Sequence, residues 1–511
     1  MAQISVNNLT FHYEGSFENV FENVSFHIDT NWKLGFIGRN GKGKTTFLNL
    51  LLGKYKYQGS ISTNAIFDYF PYGVSQEDMQ QCASELMEIW KSGVEDWRVL
   101  CELQQLSMDA EVLYRPFKTL SFGERTKVML AVLFSSENDF LLIDEPTNHL
   151  DMQSRQCVKE YLAAKKGFIL VSHDRDLLDA CTDHILVLNR ESIVVQTGNF
   201  SSWWENKERE DHFVRAENEK HLKEIGKLRK AADRTARWAE KNENTKIGFD
   251  PVKEHDRFLD TRAFIAAKTK KMQSRVKSYE QRVTREIREK EGLLKDIEET
   301  VELKIKPLEH CKKQLVRVKE YCFRYEDAST NVIEDLNFSI NQGERVFLYG
   351  ENGCGKSSFI KALLRKCNRK DIDDSALCFV EEGTLECASN LVISYINQDT
   401  SFLKGDLKQF ADKRNIDISL LFSILRQLDF DRTQFEKNME TYSEGQKKKV
   451  LIAASLLTPA HLYIWDEPLN YIDVFSRMQI ERLIEKYQPT MLIVEHDVRF
   501  REKIATNVVE M

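Results

Sequence analysis

With 511 residues, 30% of them charged and 42% hydrophobic, the chain is long enough for roughly three or four domains and for more than one buried core. Its net charge of −7 makes it acidic overall, and no apolar run approaches the roughly 20 residues that span a bilayer. Met1 to Phe11 alternates like a strand and lacks the basic and apolar blocks of a secretory leader, so neither a membrane-spanning helix nor secretion is expected, and a cytoplasmic location is.

The ten cysteines show neither a Cys-x-x-Cys pair nor a neighbouring histidine cluster, so buried free thiols are expected rather than a zinc site or a disulfide framework. The chain reads as two similar halves, residues 1–200 and 312–511, separated by a segment of different character over residues 201–305.

In the first half, short alternating segments from Ile4 to Phe26 predict antiparallel strands. Leu34 to Ile37 then reads as a buried strand running into Gly38-Arg39-Asn40-Gly41-Lys42-Gly43-Lys44-Thr45, with a helix opening at Thr46. Strand, glycine-rich loop and helix in that order fit a phosphate-binding loop. Its glycines let backbone N–H groups close around phosphates, Lys44 supplies a point charge, and Thr45 offers a hydroxyl to Mg²⁺.

After the next strand comes Tyr69-Phe70-Pro71-Tyr72, and the stretch from Gln76 to Lys118 has room only for a modest helical subdomain. Leu120-Ser121-Phe122-Gly123-Glu124 stands just before a helix, where serine and glycine make either an anion site or a plain helix cap. Leu141-Leu142-Ile143-Asp144-Glu145-Pro146 is an apolar strand ending in two acids. At the carboxyl end of a parallel strand the first can hold Mg²⁺ and the second can orient an attacking water. A further apolar strand, Gly167 to Val171, leads into Ser172-His173-Asp174, which places His173 within reach of a terminal phosphate.

The middle segment is nearly free of helix breakers. Only Gly226 interrupts the run from Glu205 to Asn244, and only Gly292 that from Arg262 to Thr300, so it reads as helix, loop, helix with its tip at about residues 245–261. Leu222, Ile225, Leu228, Ala232, Ala236 and Ala239 form one apolar seam, and Met272, Val276, Tyr279, Val283 and Ile287 the other, the pattern of an antiparallel coiled coil. Between Thr261 and Lys290 ten Lys or Arg stand against three Asp or Glu, which suits either a surface that meets nucleic-acid phosphates or a solvated helix face.

The second half repeats the first. Gly350-Glu351-Asn352-Gly353-Cys354-Gly355-Lys356-Ser357 follows the strand Val346 to Tyr349, with Lys356 lying 312 residues after Lys44; Cys354 holds a variable position of the loop. Tyr442-Ser443-Glu444-Gly445-Gln446, Asp466-Glu467-Pro468 and Glu495-His496-Asp497 then recur at nearly the same offset.

Assembled, these motifs resemble an ATP-binding cassette protein carrying two cassettes. The fold implied is α/β, each cassette a mixed sheet with a phosphate-loop core and a helical subdomain, the two joined by a long helical hairpin. The resemblance implies a head-to-tail pairing within one monomer, in which Lys44 shares an ATP with Ser443, and Lys356 shares one with Ser121. Nucleotide contacts would extend to Thr46, Ser358, Gly123, Glu124, Gly445 and Gln446, and Tyr13 and Tyr325 match the position whose ring stacks on adenine, with packing at a sheet edge as the alternative. Glu145 and Glu467 would be the catalytic carboxylates, with His173 and His496 beside them. Mg²⁺ would be held by Thr45 and Asp144 at site one, and by Ser357, Asp466 and Gln398 at site two. Tyr72 stands where site one would be expected to carry the glutamine matching Gln398, so either site one is slower or Gln76 substitutes.

Two soluble cassettes joined by a basic hairpin resemble the ABC-F family of translation factors and ribosome-protection proteins, and Asp144-Glu145-Pro146-Thr147-Asn148-His149-Leu150-Asp151 is a mark of it. Asp466-Glu467-Pro468-Leu469-Asn470-Tyr471-Ile472-Asp473 departs from that mark. Asn31-Trp32-Lys33-Leu34-Gly35 and the text around Trp465 look like the subgroup that resists lincosamides, streptogramins A and pleuromutilins. The resemblance implies binding at the ribosomal exit-tRNA site, beside P-site tRNA and large-subunit rRNA, with the hairpin driven toward the peptidyl transferase centre. Lys246, Lys253 and Arg257 would meet phosphates there, and Phe249 and Phe258 would either stack on bases or pack together to close the tip. A housekeeping ABC-F factor and a nucleic-acid clamp are the alternatives; the short first-cassette subdomain, without the larger arm that housekeeping members often carry there, favours protection.

Overall fold

The computed structural model describes residues 3–14, 19–136, 139–148, 150–188, 193–244, 277–278, 281–283, 285, 303–325, 331–351, 353–367, 379–430 and 432–511. Compact packing separates two units, one of residues 1–203 with 300–511 and the other of residues 204–299.

The first unit holds both cassettes. In the first, β1 (Gln3–Phe11), β2 (Phe21–Asp29), β3 (Lys33–Gly38), α1 (Lys44–Leu51), β4 (Gln58–Ser62) and β5 (Ile66–Phe70) are followed by α2 (Ala83–Trp90), α3 (Asp96–Gln105) and α4 (Phe122–Leu133). Then come β6 (Asp139–Asp144), α5 (Met152–Ala164), β7 (Phe168–Val171), α6 (Arg175–Cys181), β8 (His184–Leu188) and β9 (Ile193–Thr197). The central sheet runs β5-β6-β7-β3-β8-β9, parallel except for the last pair. A second sheet, β2-β1-β4, is antiparallel.

Sequence explains the layering. Beyond Lys33, β3 is apolar or glycine on both faces and buried throughout, as a strand covered on both sides must be. β1 instead alternates, with Ile4, Val6, Leu9 and Phe11 buried. Phe47 of α1 seats its ring against Phe21, Phe26 and Phe36 at 5.6 to 6.1 Å, which pins the helix that follows the phosphate loop between the two sheets. That helix begins at Lys44 rather than Thr46, because Gly43 at φ 105° makes the turn into it.

After α7 (Phe200–Asn244), the second cassette repeats the plan with β10 (Gln314–Tyr325), β11 (Ile333–Asn341), β12 (Arg345–Tyr349), α8 (Lys356–Lys366), β13 (Phe379–Cys387) and β14 (Ile393–Ile396). Its helical subdomain is α9 (Leu407–Lys413) and α10 (Ile418–Gln427), followed by α11 (Glu444–Leu457), β15 (Leu462–Asp466), α12 (Val474–Tyr487), β16 (Met491–Val494), α13 (Val498–Ile504) and β17 (Asn507–Glu510). The sheet β14-β15-β16-β12-β17 is parallel throughout, and β11-β10-β13 is antiparallel. Phe359 plays the part of Phe47, meeting Tyr321 and Phe338 at 5.8 and 5.5 Å.

In the smaller unit α7 continues unbroken as far as Asn244, so its 45 residues make a rod of about 68 Å. Ile225 on this arm and Val283 on the other are both buried. Leu222, assigned to the same seam from its spacing, is 56% exposed, so the seam does not pass through it. The tip residues Lys246, Phe249, Lys253, Arg257 and Phe258 lie outside the described residues, as does Asn352 of the second phosphate loop.

Candidate functional site

Each phosphate loop is shaped by glycines at positive φ: Gly41 at 78° and Gly43 at 105° in the first, Gly353 at 87° and Gly355 at 97° in the second. A Cβ on Gly43 would fall 2.5 Å from Val20, and one on Gly355 would fall 2.9 Å from Val332. Only glycine lets these loops lie so close to the antiparallel sheet. Gly41 and Gly353 face open space, which leaves room for a ligand against the loop backbone.

The lysines lie within the loops. Lys44 Nζ donates to Gly38 O at 2.6 Å and Asn40 Oδ1 at 3.3 Å, and Lys356 Nζ to Gly350 O and Glu351 O, both at 2.7 Å. Burial pulls the Lys44 ammonium below its usual range, while Asp473, Glu145 and Asp144 oppose that shift.

At site one Thr45 Oγ1 donates to Asp144 Oδ2 at 3.0 Å. The neighbouring Glu145, at φ 52°, is buried, and burial followed by the charge of Asp144 pushes its carboxyl up to about 8. Its Oε1 has no hydrogen-bond partner, although His173 Nε2 approaches to 3.4 Å. His173 Nε2 also lies 3.0 Å from Asn40 Oδ1, and burial followed by the Lys44 charge keeps the ring neutral, well below the ordinary histidine range.

Site two has the same plan with different partners. Ser357 donates to Asp466, whose carboxyl burial and then Glu467 push up to about 6, and whose Oδ1 has no partner. Glu467 Oε2 accepts from Gln398 Nε2 at 2.8 Å and from Asn470 Nδ2 at 2.7 Å. Gln398 is thus brought to Glu467 rather than to Asp466, the residue its expected metal role would pair it with. His496 Nε2 stands 3.9 Å from Glu467 Oε1, and burial first, then Arg155, draws its pKa down to about 4.

The two cassettes meet at both phosphate loops. Asn40 Nδ2 of the first loop donates to Tyr471 O at 2.7 Å, and a Cβ on Gly445 would sit 2.6 Å from that same carbonyl oxygen and 3.4 Å from Asn40. On the other side a cavity of about 460 Å³ has Phe122, Leu150 and Arg155 of the first cassette on one wall, and Lys356, Ser357 and Glu467 of the second on the other. Ser121 and Ser443 are helix N-caps in reciprocal capping boxes with Glu124 and Gln446. The hydroxyls of Tyr13 and Tyr325 lie 2.6 Å from Thr46 Oγ1 and Ser358 Oγ, which ties each ring to the end of a phosphate loop.

The oxygen-only pairs Thr45 with Asp144 and Ser357 with Asp466 fit Mg²⁺, and the orphaned Oδ1 of Asp466 is the kind of atom such an ion would satisfy. Among the described residues no three His, Cys, Asp or Glu converge into a cage.

Several residues near the sites carried no signal in the sequence. Lys449 Nζ is paired with Asp473 Oδ2 at 2.8 Å, both buried, and Lys448 Nζ donates to Glu467 O at 3.1 Å. α11 turns Lys448 and Lys449 inward, while Lys447 stays partly exposed. Gln76, offered as a substitute for the missing glutamine, is exposed. Tyr72 Oη donates instead to Asp68 at 2.8 Å and its ring stacks on Trp90.

A model of the family described as "ABC transporter" matches residues 21–148 and 333–470, together just over half of the chain. The ribosome protection protein VmlR of Bacillus subtilis is 28% identical over 500 residues, covering 96% of this chain and 84% of VmlR. The ATP-binding protein Uup of Haemophilus influenzae is 26% identical, covering 99% and 78%. Among solved structures, the archaeal ribosome recycling factor aABCE1, in complex with the stalk protein aP1, superimposes with a TM-score of 0.58 at 19% identity, over 96% of this chain and 85% of that one. Among the described residues no helix is long and apolar enough to cross a membrane.

Proposed function

Since this chain belongs to the ABC transporter family of ATP-binding cassette proteins and is an ATPase, we propose that it is an ABC-F factor that protects the ribosome, binding at the exit-tRNA site and dislodging inhibitors from the peptidyl transferase centre. The observation that carries the reading is the meeting of the two cassettes at both phosphate loops, Asn40 against Tyr471 and Gly445 on one side, Phe122 facing Lys356 on the other. A 28% likeness along 96% of the chain to a protein named for ribosome protection supports it.

The chemistry follows from the residues. Backbone N–H groups of Gly41 to Thr45 and of Gly353 to Ser357 cradle the phosphates, and Lys44 and Lys356 neutralise them. Glu145 and Glu467 orient water and accept its proton, and neutral His173 and His496 steady the terminal phosphate. Thr45 with Asp144, and Ser357 with Asp466, hold Mg²⁺, which when bound offsets the charge that develops on the phosphate oxygens.

ATP therefore stabilises the closed pairing of the cassettes, and loss of the terminal phosphate releases it. Because the arms are continuous with both cassettes, that cycle moves the hairpin tip, where Lys246, Lys253, Arg257, Phe249 and Phe258 meet RNA.

Changing Glu145 and Glu467 together to Gln keeps shape but removes the base. Turnover falls by about 10²–10⁴-fold, and the protein stays on ribosomes in ATP. Normal turnover in that variant, or no co-sedimentation with ribosomes in a slowly hydrolysed ATP analogue, overturns the reading. Expression in a drug-sensitive bacterium separates protection from housekeeping, since a housekeeping factor leaves resistance to every peptidyl-transferase inhibitor unchanged.

A further inference from the structure

The two nucleotide sites differ at the acid that closes the second strand of each loop-strand pair. Asp144 Oδ2 accepts two hydrogen bonds, from Thr45 Oγ1 at 3.0 Å and from Tyr69 Oη at 3.2 Å. Asp466 accepts from Ser357, and its Oδ1 has no partner. The tyrosine at the matching place in the second cassette, Tyr395, sends its hydroxyl to Asn397 Oδ1 at 3.2 Å. Tyr69 and Tyr395 hold the same position in their strands, each three residues before the site where Gln398 stands in one half and Tyr72 in the other.

We propose that Tyr69 is a positioning residue of site one, its phenol fixing the Asp144 carboxylate for the metal in place of the amide that Tyr72 has displaced. This deepens the proposed reading of site one as a nucleotide site and rests on it. Three features of the strand place the phenol there. β5 pairs in parallel with β6, setting Tyr69 opposite Leu142 and two residues short of Asp144 on the neighbouring strand. Lys54 Nζ lies over the Tyr69 ring at 5.3 Å, which holds the ring from its face. Tyr72 is committed elsewhere, donating to Asp68 and stacked on Trp90.

A second partner on a metal-binding carboxylate does two things. It removes the freedom of the carboxylate to rotate, and it ties up one lone pair. With Thr45 and Tyr69 both on Oδ2, Asp144 presents Oδ1 in a fixed direction. At site two the corresponding amide grips Glu467 rather than the metal acid. The sites are therefore tuned at different atoms, site one at its metal-binding acid and site two at its base.

The test reads metal dependence, not turnover. In a Lys356→Ala background, which leaves site one to bind ATP, fluorescent ATP is titrated at rising Mg²⁺ and again in EDTA, and bound Mn²⁺ is followed by its spin-resonance signal. Tyr69→Phe is expected to raise the Mg²⁺ concentration for half-maximal ATP binding by about 10–100-fold, to broaden the Mn²⁺ signal, and to leave binding in EDTA unchanged. Tyr69→Gln, which returns a donor, recovers part of the loss. Tyr395→Phe in a Lys44→Ala background leaves the Mg²⁺ midpoint of site two where it was.

A Tyr69→Phe protein that melts lower but keeps its Mg²⁺ midpoint within about twofold shows that the phenol only packs, and overturns the proposal while site one stands. Should the Lys356→Ala parent bind no nucleotide at any Mg²⁺ concentration, the reading of site one falls, and the proposal with it.

Discussion

Arg39 of the first phosphate loop is paired across the cassette boundary with Asp429, which follows the helical subdomain of the second cassette, and both are largely buried. Among the described residues the opposite boundary shows no matching ion pair. Glu351 stands where Arg39 does, and Ser107 where Asp429 does, both of the latter at positive φ after matching Leu-x-Gln-Leu text. Glu351 and Ser107 line a cavity of about 750 Å³ instead.

From this asymmetry, Asp429→Asn should loosen site one. Asparagine keeps the left-handed backbone and the shape but takes the carboxylate charge away from Arg39, at a cost of roughly 1.5–3 kcal/mol. Hydrogen exchange of residues 39–45 should quicken, with residues 351–357 unaffected. Conversely, Glu351→Arg with Ser107→Asp should build a second latch, visible in a double-mutant cycle on melting temperature as a coupling of about 1 kcal/mol.

Gly445 and Gly123 occupy matching positions, yet alanine should be tolerated at only one of them. At Gly445 the new methyl would meet the backbone oxygen Tyr471 O at 2.6 Å, the acceptor that Asn40 uses. At Gly123 it would meet Ser154 Oγ, the end of a side chain that can turn aside. Gly445→Ala should weaken ATP binding at site one by about tenfold, near the worth of one lost hydrogen bond, while Gly123→Ala changes site two by less than about twofold. Equal effects in a fluorescent-nucleotide titration would refute the difference.

Lys449→Met should be among the most damaging single changes away from the phosphate loops, because it takes the paired cation from the buried Asp473 carboxylate and leaves it only the hydrogen bonds from Ser476. Losing one member of such a pair costs roughly 3–5 kcal/mol, a drop of roughly 10 °C in the melting of the second cassette. Calorimetry with Asp473→Asn in the same background should recover part of the loss.

Acid stability follows from the same pair. Burial opposes ionisation of Asp473, but Lys449 and the Ser476 N–H override it and hold the carboxyl far below the usual range. A depressed folded pKa stabilises fully above the unfolded value near 3.9 and is lost as pH falls toward the folded one. The melting temperature should therefore decline below about pH 4, less steeply in Asp473→Asn, where no proton is taken up at that position.

The phosphate loops, the paired acids and the strands beneath them were legible because each follows from local text: glycines at fixed spacing, an apolar run, two acids at its end. Tyr69 was not, since nothing in Tyr69-Phe70-Pro71-Tyr72 says which tyrosine turns toward Asp144; that depends on the register of β5 on β6. The Arg39 pairing with Asp429 spans 390 residues of sequence and exists only once the cassettes meet. Leu222 misled because a heptad marks candidates for a seam, and the exposed position among them is set by the partner arm. The pairing of Lys449 with Asp473 is likewise a product of the fold, since nothing in the text around either residue names the other.

Lys44 and Lys356 each spend their ammonium protons on carbonyl oxygens of their own loops, at 2.6 to 2.7 Å. Each lysine thereby ties the first turn of its helix back to the end of the strand that feeds the loop. Replacing either one removes a strut together with a charge, so a change at these positions cannot separate the two roles.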